Sequence, residues 1–334
     1  MSKPQVLICA NPTKGVVWSK EEQKSKLGAV AEVFEFDSKT REAFFEDCKG
    51  KYSKIVAIYR HNDSVASIGL FDKELINALP KSLKYICHNG AGYDQIDVDA
   101  CTARDIQVSH TPMAVDHGTA TVGAYLTISA LRQFHRAEVN VRNGKWKGGL
   151  IPARDPQGKV LGIIGMGGIG STMARMLIPF DMTVIYYNRR EITPACDFPC
   201  EYVSSQEELL RRSDVVSLNL PLNDKTKGSF GREQFSQMKD GSVLVNTARG
   251  AVVDEEAFLE ALDSGKLFSA GIDVFPDEPN VNPRLVNNDK ITLLPHMGTE
   301  TQDSQKKMEI RVFDNMISAV TGKGLINQVQ EQKK

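Results

Sequence analysis

Short apolar runs rich in β-branched residues alternate with stretches of helical period along the whole chain, the signature of parallel α/β sheets. A first set of candidate strands covers 6–9, 33–36, 55–59, 83–87 and 106–109. A second set begins at Lys159 and reads VLGII, TVIYY, VVSLNL, SVLVN, AGIDVF and ITLLP. Between the sets, Val122, Leu126 and Ala130 recur at four-residue spacing and predict one long helix over about 116–141. Arg142, Asn143 and Gly144 supply its stop. A helix of that length suits a crossing from one domain to another. A last helix is predicted over about 301–320, ended by Gly322. One consistent arrangement returns it to the first domain and leaves two linkers at the hinge.

Length adds to this picture: 334 residues exceed one ordinary core, so two domains are expected. Hydrophobic residues make up 41% and charged residues 25%, the proportions of a soluble globular enzyme. A net charge of −1 with scattered Lys and Arg argues against a nucleic-acid face. No apolar run approaches the about 18 residues of a membrane span. The opening MSKPQVLICANP reads as a first strand and not a signal-peptide core, and the final QVQEQKK carries no sorting signal. Six scattered cysteines are expected to be reduced thiols of a cytoplasmic protein. Cys196 and Cys200 have no second pair to complete a metal site, so no metal is expected.

The run Gly165-Met166-Gly167-Gly168-Ile169-Gly170 matches G-x-G-x-x-G between a strand and an amphipathic stretch. Gly165 permits the tight turn, Gly167 lets backbone approach a pyrophosphate, and Gly170 lets helix pack on strand. The helix start then offers free N–H groups to the phosphates. At the end of the next strand, where an acid would bond the ribose diol of NAD, stand Asn188, Arg189 and Arg190. Arginine is the expected partner of a 2′-phosphate, which favours NADP(H) and leaves NAD(H) open.

Three further strand exits carry Arg249 in NTARGAVVDE, Glu278 in AGIDVFPDEP and His296 in LPHMGT. Ligands gather at the carboxyl ends of parallel strands. An imidazole beside a carboxylate is a ready general acid near neutral pH. A guanidinium cannot lose its charge and grips carboxylates with a fork. Together these groups suggest hydride exchange between a nicotinamide and a carbonyl next to a carboxylate. The other histidines, His61, His88, His110, His117 and His135, have no partner set and are expected to be structural. Arg60, after KIVAIY, is expected to be a solvated strand-end charge.

HNGAGYDQID, HGTA at 117–120, GMGGIG, NTARGAVVDE, AGIDVFPDEP and LPHMGT together resemble the D-isomer-specific 2-hydroxyacid dehydrogenases over nearly the whole chain. The resemblance is closest to their glyoxylate/hydroxypyruvate reductase branch. It implies two doubly wound α/β domains: a flavodoxin-like substrate domain at 1–112 and 297–334, and a Rossmann cofactor domain at 113–296. It implies that Arg249 binds the substrate carboxylate and polarises its carbonyl, that His296 donates the proton, and that Glu278 orients and charges His296. By the same resemblance, the backbone of Gly90, Ala91 and Gly92 holds the substrate carboxylate. Thr119, Pro221, Thr247, Ala248, Arg249, His296 and Gly298 line the cofactor, and Asp273 accepts a bond from the nicotinamide amide. Trp146 resembles a residue offered to a neighbour's cleft in a homodimer.

Two positions depart from the family pattern. Gly168 replaces a long polar side chain, which removes one pyrophosphate contact, and Gln95 replaces a common asparagine. The expected reaction is reduction of glyoxylate or hydroxypyruvate by NAD(P)H to the D-2-hydroxy acid. A lactate, mandelate or branched keto acid is the alternative substrate. Formate dehydrogenase is disfavoured because an acid pair would be idle there. A 3-phosphoglycerate dehydrogenase is disfavoured by the lack of a regulatory domain. A non-catalytic dinucleotide sensor is disfavoured by the intact Arg-Glu-His set.

Overall fold

The computed structural model describes residues 2–10 and 15–333. The chain divides into two compact units, Met1–Val115 with Glu300–Lys334, and Asp116–Thr299. In the first unit, β1 (Gln5–Cys9), β2 (Glu32–Glu35), β3 (Ile55–Arg60), β4 (Tyr85–His88) and β5 (Gln107–Ser109) form a sheet in the order β2-β1-β3-β4-β5. All its ladders are parallel. That is the flavodoxin-like order.

The pleat of this sheet sends successive side chains to opposite faces. Val6 and Ile8 join Ala57 and Tyr59 on one face, while Leu7 and Cys9 join Ile58 and Ile86 on the other. The first face is covered by Val312, Phe313 and Met316 of the helix Gln302–Val320. Burying such side chains contributes roughly 1.5–3 kcal/mol each, which is why the C-terminal helix belongs to the N-terminal unit.

In the second unit, β6 (Val160–Ile164), β7 (Thr183–Tyr187), β8 (Glu201–Tyr202), β9 (Val215–Leu218), β10 (Ser242–Asn246), β11 (Leu267–Ile272) and β12 (Ile291–Leu293) form a parallel sheet. Its order is β12-β11-β10-β9-β6-β7-β8. This is the doubly wound Rossmann order with one strand added, and the order reverses between β6 and β9. The helix Asp116–Arg132 lies on one face with Ala120, Leu126, Ala130 and Leu131 in the core. Polar bonds fix its height: Ser269 Oγ donates to the Ala130 carbonyl at 2.7 Å, and the Ser129 and Thr292 hydroxyls pair at 2.9 Å.

Several expectations need correction. The long helix is two: Asp116–Arg132 and Phe134–Arg142, separated by Gln133 at φ 53°. A left-handed residue cannot continue a right-handed helix, and both pieces fall in the second unit. AGIDVF is not the strand itself, because β11 starts earlier, at Leu267, and ends at Ile272. Parallel pairing with β10 sets those bounds and leaves Asp273 just beyond the strand. The two-residue β8 is too short for periodicity to reveal. Arg60 is fully buried and not a solvated charge. It ends β3, between β1 and β4, so its neighbours are protein on both sides.

Thr301 caps the last helix, accepting the Ser304 N–H at 3.0 Å. Thr301→Ala should lower stability by about 1 kcal/mol, while Thr301→Ser should retain most of it. Equilibrium urea denaturation checks this, and equal losses in both variants would show that the cap is not the cause.

Candidate active site

The glycine run forms the turn between β6 and the helix Gly168–Leu177. Gly165 has φ 100°, and a Cβ there would lie 2.5 Å from the Asn219 carbonyl just past β9. A Cβ at Gly170 would lie 2.5 Å from the Gly165 carbonyl, so helix and turn meet without side chains. The space around the Gly167 Cα is open instead. A tight turn, an open approach and a close packing point are what a dinucleotide's pyrophosphate requires. The turn is pinned to the exit of β7: Gly165 N–H donates to the Tyr187 carbonyl at 3.0 Å, and Met166 N–H to Asn188 Oδ1 at 2.9 Å. Asn188 thus shapes the turn, while Arg189 and Arg190 stand exposed at the strand end.

The departure at Gly168 has a physical cause. A Cβ there would lie 2.0 Å from Asp116 Oδ2, so the carboxylate of Asp116 fills the space a side chain would need. Two buried side-chain oxygens, Asn219 Oδ1 and Thr247 Oγ1, have no hydrogen-bond partner among the described residues. They stand at the exits of the central strands β9 and β10, and buried polar atoms of this kind call for a partner. Ala248 is buried, with its N–H on Asn246 Oδ1 at 3.0 Å. Pro221 is exposed, and its carbonyl accepts the Thr226 hydroxyl at 2.6 Å. Ile169 is partly buried against the core.

Arg249, Glu278 and His296 lie on three turns that β10, β11 and β12 deliver side by side. Asn246, the last residue of β10, builds the first turn. Its Oδ1 accepts the Ala248 N–H, and its Nδ2 donates to the Arg249 carbonyl at 3.0 Å. Its own carbonyl accepts the Asp273 N–H at 3.0 Å, tying the next turn to the same point. Gly250 is necessary here, because a Cβ would sit 2.0 Å from the Phe275 carbonyl carbon. That contact packs the Arg249 turn against the segment leading to Glu278. Glu278 Oε1 accepts the Phe275 N–H at 2.8 Å, which aims Oε2 at His296 Nδ1, 2.7 Å away.

His296 has φ 56°, an uncommon backbone state for a residue with a Cβ. Asp273 holds it there. The Asp273 carbonyl accepts the His296 N–H at 2.8 Å, and its carboxylate accepts Met297 N–H at 2.7 Å and Gly298 N–H at 3.1 Å. Asp273 is buried, and burial raises its pKa despite the two N–H donors. Thr119 is buried beneath the same turn, with its hydroxyl 3.4 Å from the Gly298 carbonyl. Both side chains therefore support the His296 turn from below.

The hydrogen bond to Glu278 raises the His296 pKa above the ordinary histidine value, outweighing burial and the nearby Arg249 charge. On Glu278, burial pushes upward, but the bonds from His296 and Phe275 prevail and leave its pKa low. A proton on Nδ1 is committed to Glu278, so Nε2 is the nitrogen available to exchange one. The site can thus present a proton, from a partly exposed imidazole, beside a fixed cation.

Sequence reasoning missed Asn219, Asn246 and Asp116. The first two had a signal: an asparagine closing a buried apolar strand, in VVSLNL and SVLVN. Asp116 had none, since its partner Gly168 is distant in the chain. Gly90, Ala91 and Gly92 lie in the first unit, just past β4. Trp146 is 71% exposed at φ 51°.

The profile of D-isomer specific 2-hydroxyacid dehydrogenase, NAD binding domain, matches residues 124–298. The chain is 51% identical to 4-methyl-2-oxopentanoate reductase A of Aspergillus oryzae, over 96% of this chain and 97% of that one. Among solved structures, a glyoxylate reductase from Paecilomyes thermophila is 48% identical, with a TM-score of 0.93 and 99% of each chain covered. The NADPH-dependent glyoxylate/hydroxypyruvate reductase of Sinorhizobium meliloti, in complex with NADP and malonate, is 26% identical. Its TM-score is 0.82, with 99% of this chain and 98% of that one covered. With strand order, glycine turn and the Arg-Glu-His set all in place, the chain belongs to the D-isomer-specific 2-hydroxyacid dehydrogenase family.

Proposed function

We propose that the protein reduces a small 2-keto acid, glyoxylate or hydroxypyruvate, to the D-2-hydroxy acid with NADPH. The observation that carries this reading is the 2.7 Å Glu278–His296 bond on a turn neighbouring that of Arg249. The Asp116–Thr299 unit is assigned the cofactor and the other unit the substrate. The bound nicotinamide supplies the hydride. Arg249 grips the substrate carboxylate and polarises the adjoining carbonyl. His296 Nε2–H gives its proton to the carbonyl oxygen as negative charge builds there, and Glu278 keeps the imidazole charged until then. The first unit contributes the N–H groups of Gly90, Ala91 and Gly92 to carboxylate recognition.

The glycine turn, the helix start and the oxygens of Thr247 and Asn219 are assigned to the dinucleotide. The two exposed arginines after β7 are assigned to the 2′-phosphate of NADP(H), a reading supported by the NADPH-dependent relative. A homodimer is also proposed, supported by the exposed apolar side chains Phe134, Val139, Val141, Trp146 and Ile151 on one stretch of chain. No helix among the described residues is long and apolar enough to cross a membrane, and a cytoplasmic location is the working assignment. A second substrate reading, 4-methyl-2-oxopentanoate, is favoured by the Aspergillus relative.

A screen of 2-keto acids separates the two. Glyoxylate or hydroxypyruvate should give the highest kcat/KM, and a higher value for 4-methyl-2-oxopentanoate would move the assignment to the branched substrate.

His296→Gln should lower kcat by about 10²–10⁴, the usual span for losing a general acid, with cofactor affinity retained. Reduction needs the protonated imidazole, so activity should fall as pH rises through the raised His296 pKa. Glu278→Gln removes the main cause of that rise, and the fall should move to lower pH. An unshifted profile would exclude Glu278 from this role.

Arg189→Ala should raise KM for NADPH by roughly tenfold to a hundredfold, the effect of one lost bond to a charged group. KM for NADH should barely change. Equal weakening of both cofactors would assign Arg189 to the adenosine or the fold, and wild type that favours NADH would overturn the NADPH preference.

A further inference from the structure

The first unit holds a buried cation that the proposed reaction does not use. Arg60 ends β3 and is fully buried, with its guanidinium 5.5 Å from the centre of the Phe71 ring. Its bonds go to neutral acceptors: Nη1 to Asn62 Oδ1 at 2.5 Å and to His88 Nδ1 at 3.2 Å, and Nη2 to Gln95 Oε1 at 2.5 Å. Its Nε–H has no acceptor among the described residues. The carboxylate of Asp94 acts on it, yet burial dominates and lowers the guanidinium pKa to about 10. A buried charge solvated by neutral groups costs stability and projects a positive potential into a poorly screening interior.

The next strand exit carries His88, whose ring lies under the 90–92 turn. A Cβ at Gly90 would sit 2.4 Å from His88 Nε2, so only glycine permits this stacking. His88 Nε2 pairs with the Gly92 carbonyl at 2.9 Å. A carbonyl can only accept, so Nε2 bears the hydrogen. Nδ1 lies 3.2 Å from Arg60 Nη1 and 3.3 Å from the Arg60 carbonyl. Because the adjacent guanidinium charge opposes a second ring proton, Nδ1 takes the Arg60 N–H. The imidazole is therefore neutral, in agreement with burial and the Arg60 charge, which push its pKa far down.

The turn's other carbonyls are also drawn back. Gly90 O accepts the Thr111 N–H at 2.9 Å, and Ala91 O accepts the His110 ring N–H at 2.8 Å. By contrast, the N–H groups of Gly90, Ala91 and Gly92 have no acceptor among the described residues. Three successive N–H groups without acceptors, on a turn whose carbonyls are all satisfied, make a seat for an anion.

We propose that Arg60 and His88 are positioning residues that hold the 90–92 turn as a carboxylate seat. Arg60 fixes the His88 tautomer, His88 pulls the Gly92 carbonyl back, and the buried charge adds attraction for the anion. Gln95 has a matching part, since its longer side chain supplies the oxygen that takes Arg60 Nη2. The inference rests on the reading that this turn receives the substrate's carboxylate.

The test compares kcat and KM for glyoxylate and for its amide, which lacks the carboxylate, with NADPH as reductant. Arg60→Met and His88→Leu should raise KM for glyoxylate about tenfold or more, the loss of a bond to a charged group. KM for the amide, KM for NADPH and kcat should change little. His88→Gln keeps one donor and one acceptor and should stay near wild type. A variant that weakens acid and amide equally, or leaves glyoxylate KM unchanged, would overturn the proposal. A measurement on wild type needs no variant to fold. Nitrogen-15 spectra should show the His88 ring as the Nε2–H tautomer, without titration over about pH 5–8, where an ordinary imidazole changes charge. An Nδ1–H tautomer or an ordinary titration would overturn it as well. Wild type that reduces no 2-keto acid would instead remove the proposed reaction. Turnover by wild type with Arg60→Met indistinguishable from it would remove this inference alone.

Discussion

Asn246 is the point on which the acid–base site hangs. Its backbone carbonyl accepts the Asp273 N–H, and its side-chain amide closes the turn that carries Arg249. Adjacent parallel strands thus stay registered for one residue beyond their formal ends, and the three chemical side chains leave from neighbouring exits. Asp273 then transmits that register to β12's exit through three backbone N–H groups. Removing any part of this chain of bonds would loosen the Glu278–His296 pair without touching either residue, because hydrogen-bonded networks act as units.

This arrangement also accounts for the strained backbone at His296. A left-handed residue with a side chain persists only where its surroundings overdetermine it. Here the N–H of His296, the next two N–H groups and the ring are all engaged at once. The cost of the conformation is offset locally, and the imidazole is held ready to present a proton on a preset nitrogen. Electrostatics follow from the same geometry: one carboxylate at hydrogen-bond distance dominates over burial and over a cation on the next turn.

The two units handle polar burial in different ways. In the second, Asp273 is satisfied by backbone N–H groups, while Thr247 and Asn219 keep buried oxygens without partners among the described residues. In the first, Arg60 is wrapped in neutral acceptors and stands behind a turn whose three N–H groups have no acceptor among the described residues. Polar groups left short of partners at strand exits are consistent with ligand seats, since structural polar groups in cores are normally satisfied.

The fold was largely legible in the residues themselves. β-branched runs set both sheets, the glycine spacing set the dinucleotide turn, and Thr301 marked the start of the last helix. These features depend on neighbours a few positions away, so a local pattern encodes them. The break at Gln133 was not legible, because nothing in ALRQFH forbids continuing a helix. Nor was the fate of Arg60, whose surroundings come from His88 and Gln95 on a different strand exit and loop. The glycine at 168 reads in the sequence as a missing contact, whereas in the fold the Asp116 carboxylate occupies the space a side chain there would need. Sequence by itself determined which chemical groups stand at strand ends, since strand ends follow from local hydrophobic pattern. Tertiary structure alone decided which of those groups are buried, paired or left open, because that depends on strand order, and strand order brings together residues far apart in the chain.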